Sequence, residues 1–219
     1  MWILKYSEKV RERFPGLKAL TNRIEGVNIE NGSEELEEFR NEVISQVRER
    51  KDLDELKDVS IFRKYRDFFW DLGIDPTKTR PASEALIRRI LQGKEIPSIN
   101  TLVDAYNLAS IKSEIPLAAF DYDTLEGDLE LRFSERDEVF RGIGMDEPKE
   151  LTGDEIVVSD SEKIVAIYPY RDSEETKITT DTTDVLLMVC GIPGVGGKLD
   201  KAREIMLDYV TEFCDGEVV

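Results

Sequence analysis

Residues 97–127 read PSINTLVDAYNLASIKSEIPLAAFDYDTLEG. Apolar residues recur at helical spacing between positions 99 and 113, which predicts a helix with one apolar face. They are Ile99, Leu102, Val103, Tyr106, Leu108, Ala109 and Ile111. Pro116 lacks an N–H and disfavours helical angles at Ile115, so the helix must end before it. The apolar run 117–120 then suits a buried strand, and this helix followed by a strand decides the fold.

The same helix carries a polar row, Asn100, Asp104 and Asn107, on one face because these residues are three and four apart. Such a row usually faces solvent. It can also line a cleft, in which case Asn100 and Asp104 would contact a ligand.

The hydrophobic pattern predicts mostly helices before residues 97–127 and mostly strands after them. Upstream, it predicts strands at 2–6 and 17–27 and helices at 8–14, 34–51, 61–72 and 84–91, the last capped by Ser83. Downstream, it predicts strands at 129–133, 139–141, 156–158, 164–168 and 185–190, and a closing helix at 199–213. This order predicts an α+β fold: a three-layer arrangement of mixed or antiparallel β-sheets with helices packed on one side.

The chain of 219 residues has a net charge of −17, which repels phosphate backbones at long range. Residues 63–94 are an exception, with eight Lys and Arg against four Asp and Glu. This basic segment can receive an anion, or it can pair with acidic neighbours. No run is apolar over the roughly 20 residues of a membrane span, and the start is too short for a signal peptide. We therefore expect a cytoplasmic protein without membrane contact.

The sequence contains no histidine, which excludes Ser-His-Asp and Cys-His catalysis and argues against zinc hydrolysis. Any acid–base chemistry must use carboxylates, hydroxyls, Lys, Tyr, main-chain groups or the substrate itself. Cys190 and Cys214 are too few for a disulfide framework, and their apolar context predicts buried free thiols.

Two stretches only partly match ligand-binding motifs. The glycine-rich segment 191–198 follows a strand and precedes a helix, but Leu199 stands where a P-loop requires a hydroxyl, and the glycine spacing is wrong. Segment 121–128 lacks a ligand at the third position of a calcium loop, where Leu125 stands. We predict that segment 191–198 is a strand-to-helix turn. We expect neither segment to bind a cofactor or a metal ion.

Residues 168–183 form a concentrated polar segment that includes Arg171, Glu174 and five threonines between 176 and 183. Such a loop can bind an amino acid through a fixed cation, carboxylates and hydroxyls. It can equally be a solvated turn whose threonine hydroxyls bond their own backbone.

Four anchors in register resemble the tRNA-binding, editing domain of the phenylalanyl-tRNA synthetase beta subunit. They are Ile99-Asn100-x-x-Val103-Asp104-x-x-Asn107, the segment from Pro116 to Gly127 with Leu131-Arg132, Leu151 with Ile156 to Asp160, and Thr182-x-Asp184-Val185-Leu186-Leu187. The resemblance is strongest over 80–187. It implies one domain over 1–219, with an N-terminal α/β segment at 1–60 and the closing helix at 199–213, as a free-standing chain.

The resemblance implies that the chain hydrolyses mischarged aminoacyl-tRNA in trans and is not itself a ligase. It puts the family's cleft glutamate at Glu174, the predicted catalytic residue, its Gly-Gly pair at Asp172-Ser173, and its cleft histidine at Ala118. Predicted substrate-binding residues are Asn100, Asp104, Tyr170, Arg171, Asp172, Ser173, Thr176 and Thr179. Predicted nucleic-acid-binding residues are Lys78, Arg80, Arg88 and Arg89. The expected partners are a tRNA or its aminoacyl end and an amino acid; the alternative is a non-catalytic module that binds a free amino acid or related small ligand.

Overall fold

The computed structural model describes residues 4–219, so Trp2 of the predicted first strand lies outside the described residues. Helices are formed over the following ranges: α1 (Glu8–Arg13), α2 (Glu34–Arg50), α3 (Ser60–Asp71), α4 (Ala82–Leu91), α5 (Thr101–Ser113) and α6 (Leu199–Cys214). None of the helices in this part of the chain has the length and apolar content needed to cross a bilayer.

The strands are β1 (Leu4–Tyr6), β2 (Ala19–Glu25), β3 (Leu117–Asp121), β4 (Leu129–Phe133), β5 (Val139–Phe140), β6 (Lys149–Glu150), β7 (Ile156–Ser159), β8 (Ile164–Ile167), β9 (Arg171–Asp172), β10 (Val185–Cys190) and β11 (Glu217–Val218). One mixed sheet has the order β1-β4-β7-β8-β9, with β1 parallel to β4. A second, antiparallel sheet has the order β11-β2-β10-β3. β5 and β6 form a small ribbon. The α+β prediction is confirmed.

Helix α5 has a clear start and end. The side chain of Asn100 caps it by accepting a hydrogen bond from the Val103 N–H at 2.9 Å. It ends at Glu114, whose φ of 64° lies in the left-handed region, two residues before Pro116. Strand β3 follows and pairs with β10, as its predicted burial requires.

The helices pack on the two sheets and on each other. α5 lies against α6 and β3, and α1 lies against β4. Phe39 of α2 stacks edge-on against Tyr209 of α6, with ring centroids 4.8 Å apart. α3 bridges the sheets, because the hydroxyl of its Tyr65 donates to the Cys190 carbonyl oxygen at 2.6 Å while its Phe69 contacts the Tyr170 ring. One hydrophobic cluster joins residues from Val10 to Cys214.

Three local predictions were wrong. Ser83 does not cap α4, since the helix begins at Ala82 and the buried Ser83 hydroxyl donates to the Glu114 carbonyl oxygen at 3.0 Å. Ile99 is 56% exposed and precedes α5, because Asn100 caps the helix. Asn100 and Asp104 are buried rather than solvated. The two-residue strands β6, β9 and β11 were not predicted, because such short strands show no periodicity.

The remaining sequence predictions for this core are confirmed. Cys190 and Cys214 are free and buried. The glycine-rich segment is a turn between β10 and α6, with a 3₁₀ turn at Gly196–Lys198. Gly191 has no room for a ligand, because a Cβ there would meet the Lys18 carbonyl oxygen and the Leu199 side chain.

Candidate functional site

The polar segment after β8 is held in place by its two tyrosines. The Tyr168 hydroxyl donates to the Gly191 carbonyl oxygen at 2.6 Å, and Tyr170 packs edge-on against Phe69 of α3 with ring centroids 5.9 Å apart. β9 then pairs with β8, with Asp172 opposite Ala166. The segment is thus an edge strand of the mixed sheet that is anchored to the second sheet and to α3.

Arg171 and Asp172 are consecutive in a strand and therefore point to opposite faces of the sheet. The Arg171 guanidinium Nη1 donates to the Ile143 carbonyl oxygen at 2.8 Å, and its aliphatic part lies against Gly142. On the other face, burial and, in addition, the negative charge of Asp172 raise the pKa of both the Tyr106 phenol and the Cys190 thiol. Asp172, Tyr106 of α5 and Cys190 of β10 are therefore close enough to interact electrostatically.

Asp172 and Tyr106 are both strongly desolvated. Burial raises the pKa of Asp172 to about 7, and the positive charge of Arg171 only partly opposes this rise. Burial is likewise the main cause of the raised pKa of Tyr106. Each residue nevertheless keeps part of its surface exposed to solvent.

Glu174 lies two residues beyond Asp172, in the 3₁₀ turn Glu174–Thr176. Its Oε1 forms an ion pair with Lys177, and its backbone N–H donates to the Arg141 carbonyl oxygen at 3.0 Å. Its carboxylate is partly exposed. Within residues 4–219, Oε2 accepts no hydrogen bond, so it can accept one from a bound molecule.

The hydroxyl groups of the segment divide into two groups. Ser173 and Thr179 accept backbone N–H groups two residues ahead, from Glu175 at 3.2 Å and from Asp181 at 3.2 Å, as in a self-bonded turn. Thr176 is fully buried, and its Oγ1 has no hydrogen-bond partner among residues 4–219. The hydrogen bonds of Ser173 and Thr179 are thus those of a self-bonded turn, although Ser173 is buried, and this interpretation leaves Thr176 unexplained.

Asn100 and Asp104 have structural partners. Asn100 caps α5, and Asp104 forms an ion pair with Arg40 of α2. Asp104 also accepts hydrogen bonds from the Ser98 hydroxyl at 2.9 Å and the Ile99 N–H at 3.0 Å. Three charged groups predicted at the site thus have different partners: Asp104 pairs with Arg40, Arg171 donates to the Ile143 carbonyl oxygen, and Glu174 pairs with Lys177. A role of Asn100 and Asp104 in ligand binding stays a prediction.

The sequence reasoning missed Tyr106 and Cys190 as neighbours of Asp172, since Tyr106 was assigned to the apolar face of α5. The sequence did offer one indication of this role, because the Tyr106 hydroxyl is a polar group on a helix face that is otherwise aliphatic.

A family model described as the B3/4 domain matches residues 64–206. The chain belongs to the B3/4 domain family. This B3/4 chain is 36% identical to the phenylalanine–tRNA ligase beta subunit of Vibrio cholerae over 92 residues, 42% of this chain and 11% of that protein. It is 29% identical to the corresponding subunit of Tropheryma whipplei over 119 residues, 54% of this chain and 12% of that protein. The resemblance predicted from the sequence is confirmed.

The fold of this B3/4 chain is also that of a solved relative. All of the chain superimposes on 52% of an N-terminal fragment of the phenylalanyl-tRNA synthetase beta subunit from Pyrococcus horikoshii, with a TM-score of 0.51 and 16% identity. The chain therefore spans about half of that fragment, and a far smaller part of the curated relatives.

The predicted nucleic-acid-binding residues of this B3/4 chain differ in their availability. Lys78 is 84% exposed, with Asp75 4.0 Å away, whereas Arg80 is half-buried and its Nε has no partner within residues 4–219. Arg88 lies 3.5 Å from the fully buried carboxylate of Glu84. Arg89 is exposed and donates to the Glu95 carbonyl oxygen from Nε and Nη2. Lys78 and Arg89 are thus the more accessible cations.

Proposed function

We propose that the chain binds the aminoacyl end of a tRNA and hydrolyses the ester of a mischarged aminoacyl-tRNA. The observation that carries this proposal is the B3/4 family match over residues 64–206, with relatives that are phenylalanine–tRNA ligase beta subunits. The proximity of Asp172 to Tyr106 supports it, because it brings the segment that contains Glu174 next to the helix that contains the family's first anchor.

In the proposed reaction, a water molecule attacks the ester carbonyl carbon, and the ribose hydroxyl of the tRNA leaves with a proton. The products are a free amino acid and an uncharged tRNA. Since the chain has no histidine, a carboxylate must orient the water or take its proton. Glu174 is the proposed orienting group, through its Oε2, which accepts no hydrogen bond within residues 4–219. Asp172, whose pKa is about 7, is suited to exchange a proton near neutral pH.

The other predicted residues have assigned places in this proposal. Tyr170, Arg171, Ser173, Thr176 and Thr179 belong to the same segment as Glu174 and are its proposed substrate-binding residues. Lys78, Arg80, Arg88 and Arg89 would contact phosphates of the tRNA, and the exposed Lys78 and Arg89 would contribute most.

The test is deacylation of a panel of mischarged tRNAs by the wild-type protein and by Glu174→Ala. We expect at least one substrate to be cleared faster than in buffer, and Glu174→Ala to lower that rate by about a hundredfold. Glu175→Ala is the matched control, because Glu175 is the adjacent, exposed carboxylate. If no substrate is cleared faster than in buffer, the hydrolase proposal is wrong. If both variants lose the same activity, the assignment of Glu174 as the orienting group is wrong.

The second candidate is a non-catalytic module that binds a free amino acid or related small ligand. The net charge of −17 favours it, because binding to a tRNA backbone is helped by a broad basic surface. Calorimetry with the twenty amino acids and an electrophoretic shift assay with bulk tRNA separate the two. Amino acid binding without tRNA binding at low salt would leave only this second candidate.

A further inference from the structure

A groove of about 570 Å³ lies between α2 and the connector from α4 to α5. One wall is a single face of α2, since its lining residues are three or four positions apart: Glu37, Arg40, Asn41, Ile44 and Arg48. The other wall consists of Arg89 and residues 93–98. The groove contains none of the residues of the proposed cleft.

The groove is basic on a strongly acidic chain. It is lined by four cationic side chains, Arg40, Arg48, Arg89 and Lys94, against two carboxylates, Glu37 and Glu95. Arg48 and Lys94 are exposed, and in residues 4–219 neither side chain has a hydrogen-bond or ion-pair partner. Arg40 is paired with Asp104 and Glu37. Within residues 4–219 the other three cations, Arg48, Arg89 and Lys94, form no ion pair, so they supply the excess of positive charge.

The two remaining cations are held in fixed positions. The Arg89 guanidinium donates to the Glu95 carbonyl oxygen at 3.0 Å from Nε and at 2.9 Å from Nη2. Arg40 is 9% exposed, pairs with Asp104 and donates to the Ser98 hydroxyl at 3.1 Å. Its buried Nε has no partner in the described part of the chain. Cations that are already ordered lose less conformational entropy when an anion binds.

We propose that this groove binds phosphate groups. Arg89 is held by the Glu95 carbonyl oxygen and adds a fixed positive charge, while the exposed Arg48 and Lys94 side chains have donors free to contact phosphate oxygens. The apolar side chains of Ile44, Ile96 and Pro97 give the same groove a wall for the sugar of a nucleotide. The inference stands on these residues alone and does not require ester hydrolysis in the cleft.

The phosphate can belong to an RNA strand or to a free phosphorylated molecule, and two probes distinguish these sources. Fluorescence anisotropy measures binding of labelled bulk tRNA, and calorimetry measures binding of tripolyphosphate, both at about 50 mM NaCl. The variant is Arg48→Glu with Lys94→Glu. The matched control is Lys57→Glu with Arg136→Glu, which changes the net charge equally at two exposed cations that do not line the groove.

We expect the groove variant to weaken binding of at least one probe about tenfold or more, and the control to weaken it less than about twofold. If the groove variant binds only tRNA more weakly, the phosphate belongs to RNA, and if it binds only tripolyphosphate more weakly, the phosphate belongs to a free phosphorylated molecule. Weaker binding of both probes shows that the groove binds phosphate groups in general. The proposal is overturned if the wild-type protein binds neither probe, or if the two variants weaken binding equally. Both variants retain Glu174, so deacylation measured in parallel reports on the cleft separately.

Discussion

Arg40 of α2 and Asp104 of α5 form a buried ion pair that joins the two helices. The Asp104 side chain is 3% exposed and that of Arg40 is 11% exposed. The remaining capacity of the carboxylate is used by the Ser98 hydroxyl and the Ile99 N–H, so the connector before α5 is held by the same group. Asp104, which was predicted to contact a ligand, therefore also holds the start of α5 in place.

Replacing Asp104 by Ala removes the buried counter-charge of Arg40 and leaves only the exposed Glu37 carboxylate, 3.4 Å away. We expect the free energy of unfolding to fall by about 3 kcal/mol, as for other broken buried pairs. Urea denaturation followed by circular dichroism measures this loss. Asp208→Ala is the control, because this aspartate is on the exposed face of α6 and should change stability by less than about 0.5 kcal/mol. A similar small change for Asp104→Ala would contradict the structural role.

Asp172 predicts a pH-dependent stability. Its pKa in the folded chain is about 7, above the value of about 3.9 usual for an unfolded chain. As the pH rises between these values, the unfolded state releases the proton first, so the free energy of unfolding falls from about pH 4 to about pH 7 and then stays low. Asp172→Asn removes this effect. We expect the variant to gain thermal stability over wild type at about pH 8, and to gain least at about pH 4.

The measurement for Asp172→Asn is the midpoint of thermal unfolding across this pH range. Glu162→Gln is the control, since it removes one exposed carboxylate. A stability difference between Asp172→Asn and wild type that is the same at every pH would show that Asp172 titrates normally in the folded chain.

Gly191 provides a test of the glycine-rich turn. An added Cβ would meet the Lys18 carbonyl oxygen and the Leu199 side chain, and a main-chain oxygen in β2's entry segment cannot easily move aside. We expect Gly191→Ala to lower the free energy of unfolding by about 2 kcal/mol. Gly197→Ala is the matched control, because no atom lies within 4 Å of its added Cβ. Equal effects of the two substitutions in urea denaturation would contradict the packing role.

Much of the fold could be predicted because its signals are local. Ser7 caps α1 and Ser33 caps α2 by accepting a hydrogen bond from the N–H group three residues on, so both helix starts depend on a few consecutive residues. β4 and β10 were predicted with the bounds that the structure has. Ser83 misled the prediction because its hydroxyl bonds to Glu114, 31 residues away, and no local pattern shows that.

The candidate site could be predicted only in part. The polar segment 168–176 and Glu174 follow from composition and from the family resemblance. The pairing of β9 with β8 directs Asp172 towards Tyr106 and Cys190 and Arg171 towards Ile143. β9 has only two residues and is too short to be predicted from the sequence.

The sequence by itself determined the α+β class, the family and the absence of imidazole chemistry, because these depend on which residues are present and on their spacing. The tertiary structure alone decided which polar groups are desolvated and which charges are paired. Burial and counter-charge come from residues distant in the sequence, as Arg40 and Asp104 are 64 positions apart. The basic groove is a second example. Arg89 and Lys94 belong to the basic segment 63–94, but Arg40 and Arg48 come from α2, and only the tertiary structure brings the four cations together.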